Sequence, residues 1–168
     1  MLLFCGACSS DPDVLATSKA QPPPTFDVVS NCEEGKYRGS FDALPSMSEW
    51  PFPLSGVIDF SMVRSHNGEV LQWGDTRLEG RDTSNSNARF EATIKTGKCE
   101  AGTYDTQIKD GKFAFLLADG GIFGDEIQFE GNITGEYVLE HHTFYGEWHT
   151  QSSANLKIGG RWSAYLVQ

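Results

Sequence analysis

The chain has 168 residues, 13 Lys and Arg against 23 Asp and Glu, a formal net charge of −10 and four cysteines. A chain of this length buries roughly 70% of its unfolded surface on folding, so a single domain holds a core without a metal or a dense disulfide framework. The acidic balance argues against a surface that tracks polyanions, and with it against nucleic acid as a partner. No run of ~18 apolar residues offers a membrane-crossing helix.

The first eight residues, Met1-Leu2-Leu3-Phe4-Cys5-Gly6-Ala7-Cys8, form a short apolar stretch that ends in small residues before a cysteine. Ser9-Ser10-Asp11-Pro12 follows. The segment resembles the end of a bacterial lipoprotein signal. That resemblance implies cleavage after Ala7, a lipid on Cys8, a signal that starts upstream of Met1, and a place in the cell envelope with the membrane as first partner. The same residues also read as a Cys-x-x-Cys pair with redox or metal chemistry. If Cys5 leaves with the signal and Cys8 carries lipid, Cys32 and Cys99 remain as an even pair in an oxidising compartment, where a bridge between them is expected; two separate buried thiols are the alternative. Residues 9–31, with the run Pro22-Pro23-Pro24, lack periodicity and read as an extended tether. The globular domain is expected over 32–168.

Within that domain the apolar period is two. Tyr37, Gly39 and Phe41 alternate with Lys36, Arg38 and Ser40; Ile58, Phe60 and Met62 alternate with Val57, Asp59 and Ser61. Phe90, Ala92 and Ile94, then Tyr104, Thr106 and Ile108, repeat the pattern, and Ile158, Trp162 and Ala164 carry it to the end. Each run reads as a strand with one buried and one wet face. Asn67-Gly68 and Asp110-Gly111 read as hairpin turns, because both dipeptides tolerate positive φ. The fold class expected is all-β: an antiparallel sandwich of jelly-roll type, or a barrel, of nine to ten strands.

An internal repeat is visible. Cys32-Glu33-Glu34-Gly35-Lys36-Tyr37 recurs as Cys99-Glu100-Ala101-Gly102-Thr103-Tyr104. A shorter Gly-x-aromatic unit returns at Gly135-Glu136-Tyr137, Gly146-Glu147-Trp148 and Gly160-Arg161-Trp162. A glycine two residues before an inward ring suits a strand that bends around a filled core, so these rings are expected inside. Gly160-Arg161-Trp162 looks like the unit that lipocalin and avidin barrels use near a strand start.

For chemistry, the residues that stand out are Glu126, Gln128 and Glu130, which share one face of a strand whose other face carries Ile127 and Phe129. The row resembles the catalytic strand of family sixteen glycoside hydrolases. That resemblance places Glu126 as nucleophile and Glu130 as acid/base, with Gln128 where the family has aspartate. At ~3.3 Å per residue the two Glu Cα atoms stand about 13 Å apart, so a curved strand is required to bring the carboxylates to the ~5 Å retaining distance.

His141, His142 and His149 offer no shared metal-ligand spacing, and no cofactor motif is present. Trp50 and Phe52, among three prolines, form an aromatic loop that either caps the β-structure or shows a ring to a ligand. Trp50 and Trp73 lie outside the Gly-x-aromatic units and are the rings expected to stack on a sugar, with Gln128 in the polar row that accepts its hydroxyl protons. The reading is therefore a lipid-anchored envelope module that binds a neutral glycan or an envelope protein without catalysis; the alternative is an enzyme acting on envelope polysaccharide.

Overall fold

A computed structural model describes residues 32–49, 53–82, 84, 87–119 and 121–167, with the backbone alone at 123 and 124. Cys8, the tether and Trp50 lie outside the described residues.

The expectation of an antiparallel all-β domain holds. Ten strands are formed: β1 (Gly35–Ala43), β2 (Leu54–Arg64), β3 (Val70–Gln72), β4 (Thr76–Asp82), β5 (Ala88–Ile94), β6 (Lys98–Glu100), β7 (Thr103–Leu116), β8 (Ile122–Val138), β9 (Thr143–Ser152) and β10 (Lys157–Val167). β1, β2, β4, β5, β7, β8, β9 and β10 pair in chain order, and β1 pairs with both β10 and β2, so the ring of eight closes as a barrel. Closure leaves the ring without a free sheet edge. β3 and β6 stand outside the ring; they pair with each other, β3 with β2 and β6 with β7.

The alternation read in the sequence is the alternation observed. Tyr37, Phe41, Ile58, Phe60, Met62, Phe90, Ala92, Ile94, Tyr104, Ile108, Ile158, Trp162 and Ala164 are all buried. The interior is occupied by aromatic rings in two groups. Toward the end where the chain enters, Phe60 lies between Tyr37 and Tyr104, stacked on both with centroids 5.4 and 5.6 Å away. Phe144 and Trp162 close around this stack, the former with its centroid 4.9 Å from that of Tyr37. Toward the far end Phe41, Phe90, Phe129 and Trp148 meet edge-on or tilted.

Glycines opposite the rings make room for them. A β-carbon at Gly135 would overlap the Trp162 indole, and one at Gly56 would overlap the Phe41 ring. The rings of the Gly-x-aromatic units are buried, as their spacing implied.

The repeat has a structural meaning. β1 and β7, which carry its two copies, are four places apart in the ring of eight, so they face each other across the barrel. Each begins beside a glycine at positive φ, Gly35 and Gly102, and each sends its tyrosine to one side of Phe60. The two cysteines of the repeat are joined to one another, Cys32 to Cys99, with Cα atoms 6.3 Å apart.

Two local expectations change. Asp110-Gly111 does not end a strand; it lies inside β7, where the register against β8 shifts between Ile108 and Gly111. Asp110 has φ 53°, the left-handed step a tight turn would use. Here it inserts extra length into a strand held on both sides, by β5 and β8, and so produces a bulge. Asn67-Gly68 does join two strands, in a longer loop whose ends are tied by Ser65 N–H donating to Glu69 O at 2.8 Å. Only Gly68 of the pair takes positive φ there.

Replacing Phe60 by Ala empties the centre of the stack and is expected to cost about 3–5 kcal/mol in urea denaturation followed by circular dichroism. Lys36→Ala, at an outward position of β1, is expected to stay within about 0.5 kcal/mol. Breaking the 67-residue Cys32–Cys99 loop by Cys99→Ser is expected to remove about 4 kcal/mol by the chain-entropy argument.

Candidate functional site

Trp73 is 73% exposed, the most exposed of the large hydrophobic side chains described. It sits at a break in two neighbouring strands. Trp73-Gly74-Asp75 interrupts the run from β3 to β4, and Lys95-Thr96-Gly97 interrupts the run from β5 to β6. The register across the two runs barely changes, from Val70 opposite Cys99 to Thr76 opposite Ile94, so the break acts as a bulge in one long hairpin.

Local bonding explains why the ring points out. Gln72 is buried, takes the Tyr104 hydroxyl proton on Oε1, and donates from Nε2 to Gly74 O at 2.7 Å. Gly74 takes φ 73°, which kinks the chain immediately after Trp73. Asp75 then clasps the facing segment, accepting from Lys95 Nζ at 2.5 Å and from Thr96 N–H at 2.8 Å. These bonds hold Asp75 ionised: the Lys95 bond first, then the Thr96 amide, lower its pKa. The backbone of Trp73 itself donates to Ser61 O of β2 at 2.7 Å, so its ring is presented from a fixed base. Bulges of this kind re-aim a side chain, and here the side chain re-aimed is an indole.

The acidic row of β8 faces outward along its whole length. Glu126, Gln128 and Glu130 are exposed, while Phe129 between them is buried. Glu126 lies 3.5 Å from Lys112 and Glu130 2.8 Å from Lys109, both across on β7. The two carboxylates therefore stand on the outer wall of the barrel, each beside its own lysine. Gln128 and Trp73 do not come together, because β5 and β7 lie between β4 and β8 in the ring.

A second cluster, which the sequence reading did not find, gathers where the chain enters the barrel. Glu33 Oε2 accepts from the Tyr137 hydroxyl at 2.5 Å and from His142 Nδ1 at 2.6 Å. Tyr37 Oη donates to Glu33 O at 3.1 Å, and Arg64 Nε lies 3.4 Å from Glu34 Oε1. Glu33, Glu34, Arg64, His142 and Leu166 line a cavity of about 430 Å³. The Tyr137 bond, followed by the His142 bond and the charge of His142, holds the Glu33 carboxyl below its ordinary 4.5 against the opposing effect of desolvation. Burial, then the bonded carboxylate, pushes the Tyr137 hydroxyl well up. His141 and His142 form the turn between β8 and β9: His141 closes the 3-10 turn Leu139–His141 and His142 takes φ 49°. That left-handed step swings the imidazole back over the barrel rim to Glu33. The first copy of the repeat contained the signal, since Glu33 precedes the inward tyrosine by four residues; its partner lay 109 residues away and had no spacing to betray it.

No family model, curated protein or solved structure matches this chain. The reading of the sites therefore rests on their chemistry.

The entry cluster sets a pH dependence. Because the Glu33 value in the folded state lies below its ordinary 4.5, its contribution to stability is complete above that pH and is lost as pH falls through the folded value. The stability difference between the wild type and Glu33→Gln, measured by urea denaturation from pH 7 to pH 3, is expected to be constant down to about 4.5 and to shrink below it.

Proposed function

We propose that this barrel is a non-catalytic binding module of the bacterial cell envelope, tethered to the membrane through a lipid on Cys8, and that it binds neutral glycan on its outer wall. The observation that carries the binding half of this reading is Trp73: an indole 73% exposed, set on a bulge whose every neighbour is hydrogen-bonded in place. Exposing that ring carries a hydrophobic cost of roughly 25 cal/mol per Å² of apolar area left in water, and a stacked pyranose face would recover it.

The barrel form of the all-β expectation supports the same reading. A ring of eight strands has an interior just wide enough for side chains to fill, and here Tyr37, Phe60, Tyr104, Phe41 and Trp148 occupy it, which directs binding to the outside. The negative charge of −10 favours an uncharged partner over a polyanionic one. Non-catalytic binding fits the acidic row better than hydrolysis does, since Glu126 and Glu130 stand on an outer wall with a lysine at each rather than across a cleft. The envelope placement rests on the likeness of Gly6-Ala7-Cys8 to a lipoprotein cleavage site and on the Cys32–Cys99 pairing, which suits an oxidising compartment.

Two measurements test the two halves. Palmitate labelling and detergent partitioning of the chain expressed with its upstream region are expected to place the wild type in the lipid phase and Cys8→Ala in the aqueous phase; unlabelled, soluble wild-type protein sinks the anchor. On a glycan array, Trp73→Ala is expected to weaken binding of neutral oligosaccharides roughly tenfold with the circular dichroism spectrum unchanged, and Trp50→Ala and Gln128→Ala serve as companion variants. Retention of full affinity in Trp73→Ala removes that ring from the site.

A further inference from the structure

On the wall away from Trp73, the strands β7, β8, β9, β10 and β1 carry two parallel rows of outward side chains. Cross-strand register sets one row as Ser40, Ser163, Tyr145, Glu136 and Thr103, and the next as Asp42, Arg161, Glu147 and Thr134. Between the rows the backbone forms the floor, and at its middle Gly146 of β9 lies opposite Gly135 of β8. Both are inward positions without a side chain. A β-carbon at Gly146 would overlap the β8 backbone, and the Trp162 indole is packed against Gly135 from inside. The sheet therefore folds tightly along this line, and Gly146 stays half-exposed from outside although its neighbours on the same face, Phe144 and Trp148, are buried.

The result is a trough of two adjoining cavities. One, of about 570 Å³, is lined by Thr103, Thr134, Glu136, Tyr145, Glu147 and Arg161 with the two glycines. The other, of about 260 Å³, is lined by Ser40, Asp42, Tyr145, Arg161 and Ser163 with Gly146 and Trp162. Tyr145 and Arg161 belong to both, so they stand at the saddle where the two meet.

The state of Arg161 is informative. It lies directly across from Asp42 on one side and Glu147 on the other, yet like Arg81 it forms no ion pair within 4.0 Å with any described residue, whereas Arg38, Arg64, Arg77 and Arg89 all do. Glu147 instead lies 3.6 Å from His149. A guanidinium with its donors uncommitted, between carboxylates with acceptor capacity to spare, offers both halves of a hydrogen-bond pair at one place. Tyr145, 47% exposed and donating weakly to Glu136 at 3.5 Å, adds an aromatic face beside them.

From this arrangement we propose that the trough is an oligosaccharide-binding site for neutral sugars, a second site on the same molecule whose ligand class rests on the neutral-glycan reading above. A sugar hydroxyl donates one hydrogen bond and accepts others, so a vicinal diol matches a surface where Arg161 donates while Asp42 and Glu147 accept. The apolar face of the pyranose takes the Tyr145 ring. An anionic ligand meets the wrong field: one free guanidinium is surrounded by Asp42, Glu136 and Glu147 on a chain of net charge −10. The trough crosses five strands at ~4.8 Å each, which gives it the reach of a chain segment rather than of one sugar ring.

The test is a panel of neutral and uronate-containing oligosaccharides, with affinities measured on the folded full chain by calorimetry. Tyr145→Ala and Arg161→Ala are each expected to lose roughly tenfold or more in affinity, and Arg161→Lys to lose most of it, because one ammonium cannot reproduce the planar fork. Lys112→Ala, nine residues along β7 from Thr103 and outside both cavities, is expected to bind as wild type. Binding that survives both Tyr145→Ala and Arg161→Ala but fails in Trp73→Ala overturns the trough and leaves the glycan reading standing. Binding of uronates alone overturns the neutral ligand class. A wild type that binds no glycan at all overturns the glycan reading, and the trough's ligand with it.

Discussion

The stack of Tyr37, Phe60 and Tyr104 is the contact on which the rest of the barrel depends. Its two outer rings come from the two copies of the repeat, on strands that face each other across the barrel, and its centre comes from β2, the strand that closes the ring onto β1. Three segments far apart in sequence are thus brought to one point, and the strands between them have their curvature set by the need to surround it. Glycine at inward positions is the complement of that stack. Where a ring lies along the inner wall, a nearby strand gives up its β-carbon, as Gly135 of β8 does beneath Trp162 of β10 and Gly56 of β2 beneath Phe41 of β1. Filling the interior and bending the wall are consequently one constraint, and the outer trough at Gly146 is its imprint on the far side of the sheet.

The entry end shows how a covalent and an ionic tie cooperate. Cys32 is bonded to Cys99 in the middle of β6, Glu33 to the β8–β9 turn and to Tyr137, and Glu34 to Arg64 at the end of β2. Three successive residues therefore anchor to three different parts of the rim before β1 begins. The exposed pair Glu34 and Arg64 contributes little by itself, because solvent screens it. The disulfide contributes through the unfolded chain, and Glu33 through a bond to a tyrosine whose own hydroxyl is withdrawn from water. Any load carried by the segment before Cys32 would pass to the barrel through this rim rather than through β1 alone.

Much of this architecture was legible in the sequence because a closed antiparallel sheet with a filled interior obliges every strand to alternate. The runs at Tyr37, Ile58, Phe90 and Tyr104 could be placed, inside from outside, without knowing which strands pair. The disulfide was expected from the even pair that remains if Cys5 leaves with a signal and Cys8 carries lipid. Asp110-Gly111 misled because the same left-handed step serves a turn or a bulge, and only the pairing of β7 on both sides decides between them. Trp73 was legible as a ring outside the Gly-x-aromatic units, and its exposure has a local cause in Gly74 and Asp75. The clusters at Glu33 with His142 and at Tyr145 with Arg161 were not legible. Their members are ordinary outward or turn residues in sequence, and they become neighbours only through cross-strand register, which a period of two does not encode.

A filled barrel that binds on its outer wall works under a different energetic rule from a barrel that encloses its ligand. A shallow site leaves much of the ligand in water, so the apolar area it removes is small and the ordering of a flexible sugar chain offsets a good part of the gain. Affinity at one such site is accordingly limited, however well Tyr145 and Arg161 are placed. The proposed lipid anchor changes that limit. Many copies held on one surface present their sites to the same polysaccharide, and once one copy is engaged the next binds at the high effective concentration set by its tether. On this reading the rigidity of the barrel, the firm tie at Cys32 and the shallow outer sites are consistent parts of one design: strength comes from the number of engaged copies, and each copy need only hold its rings and donors still.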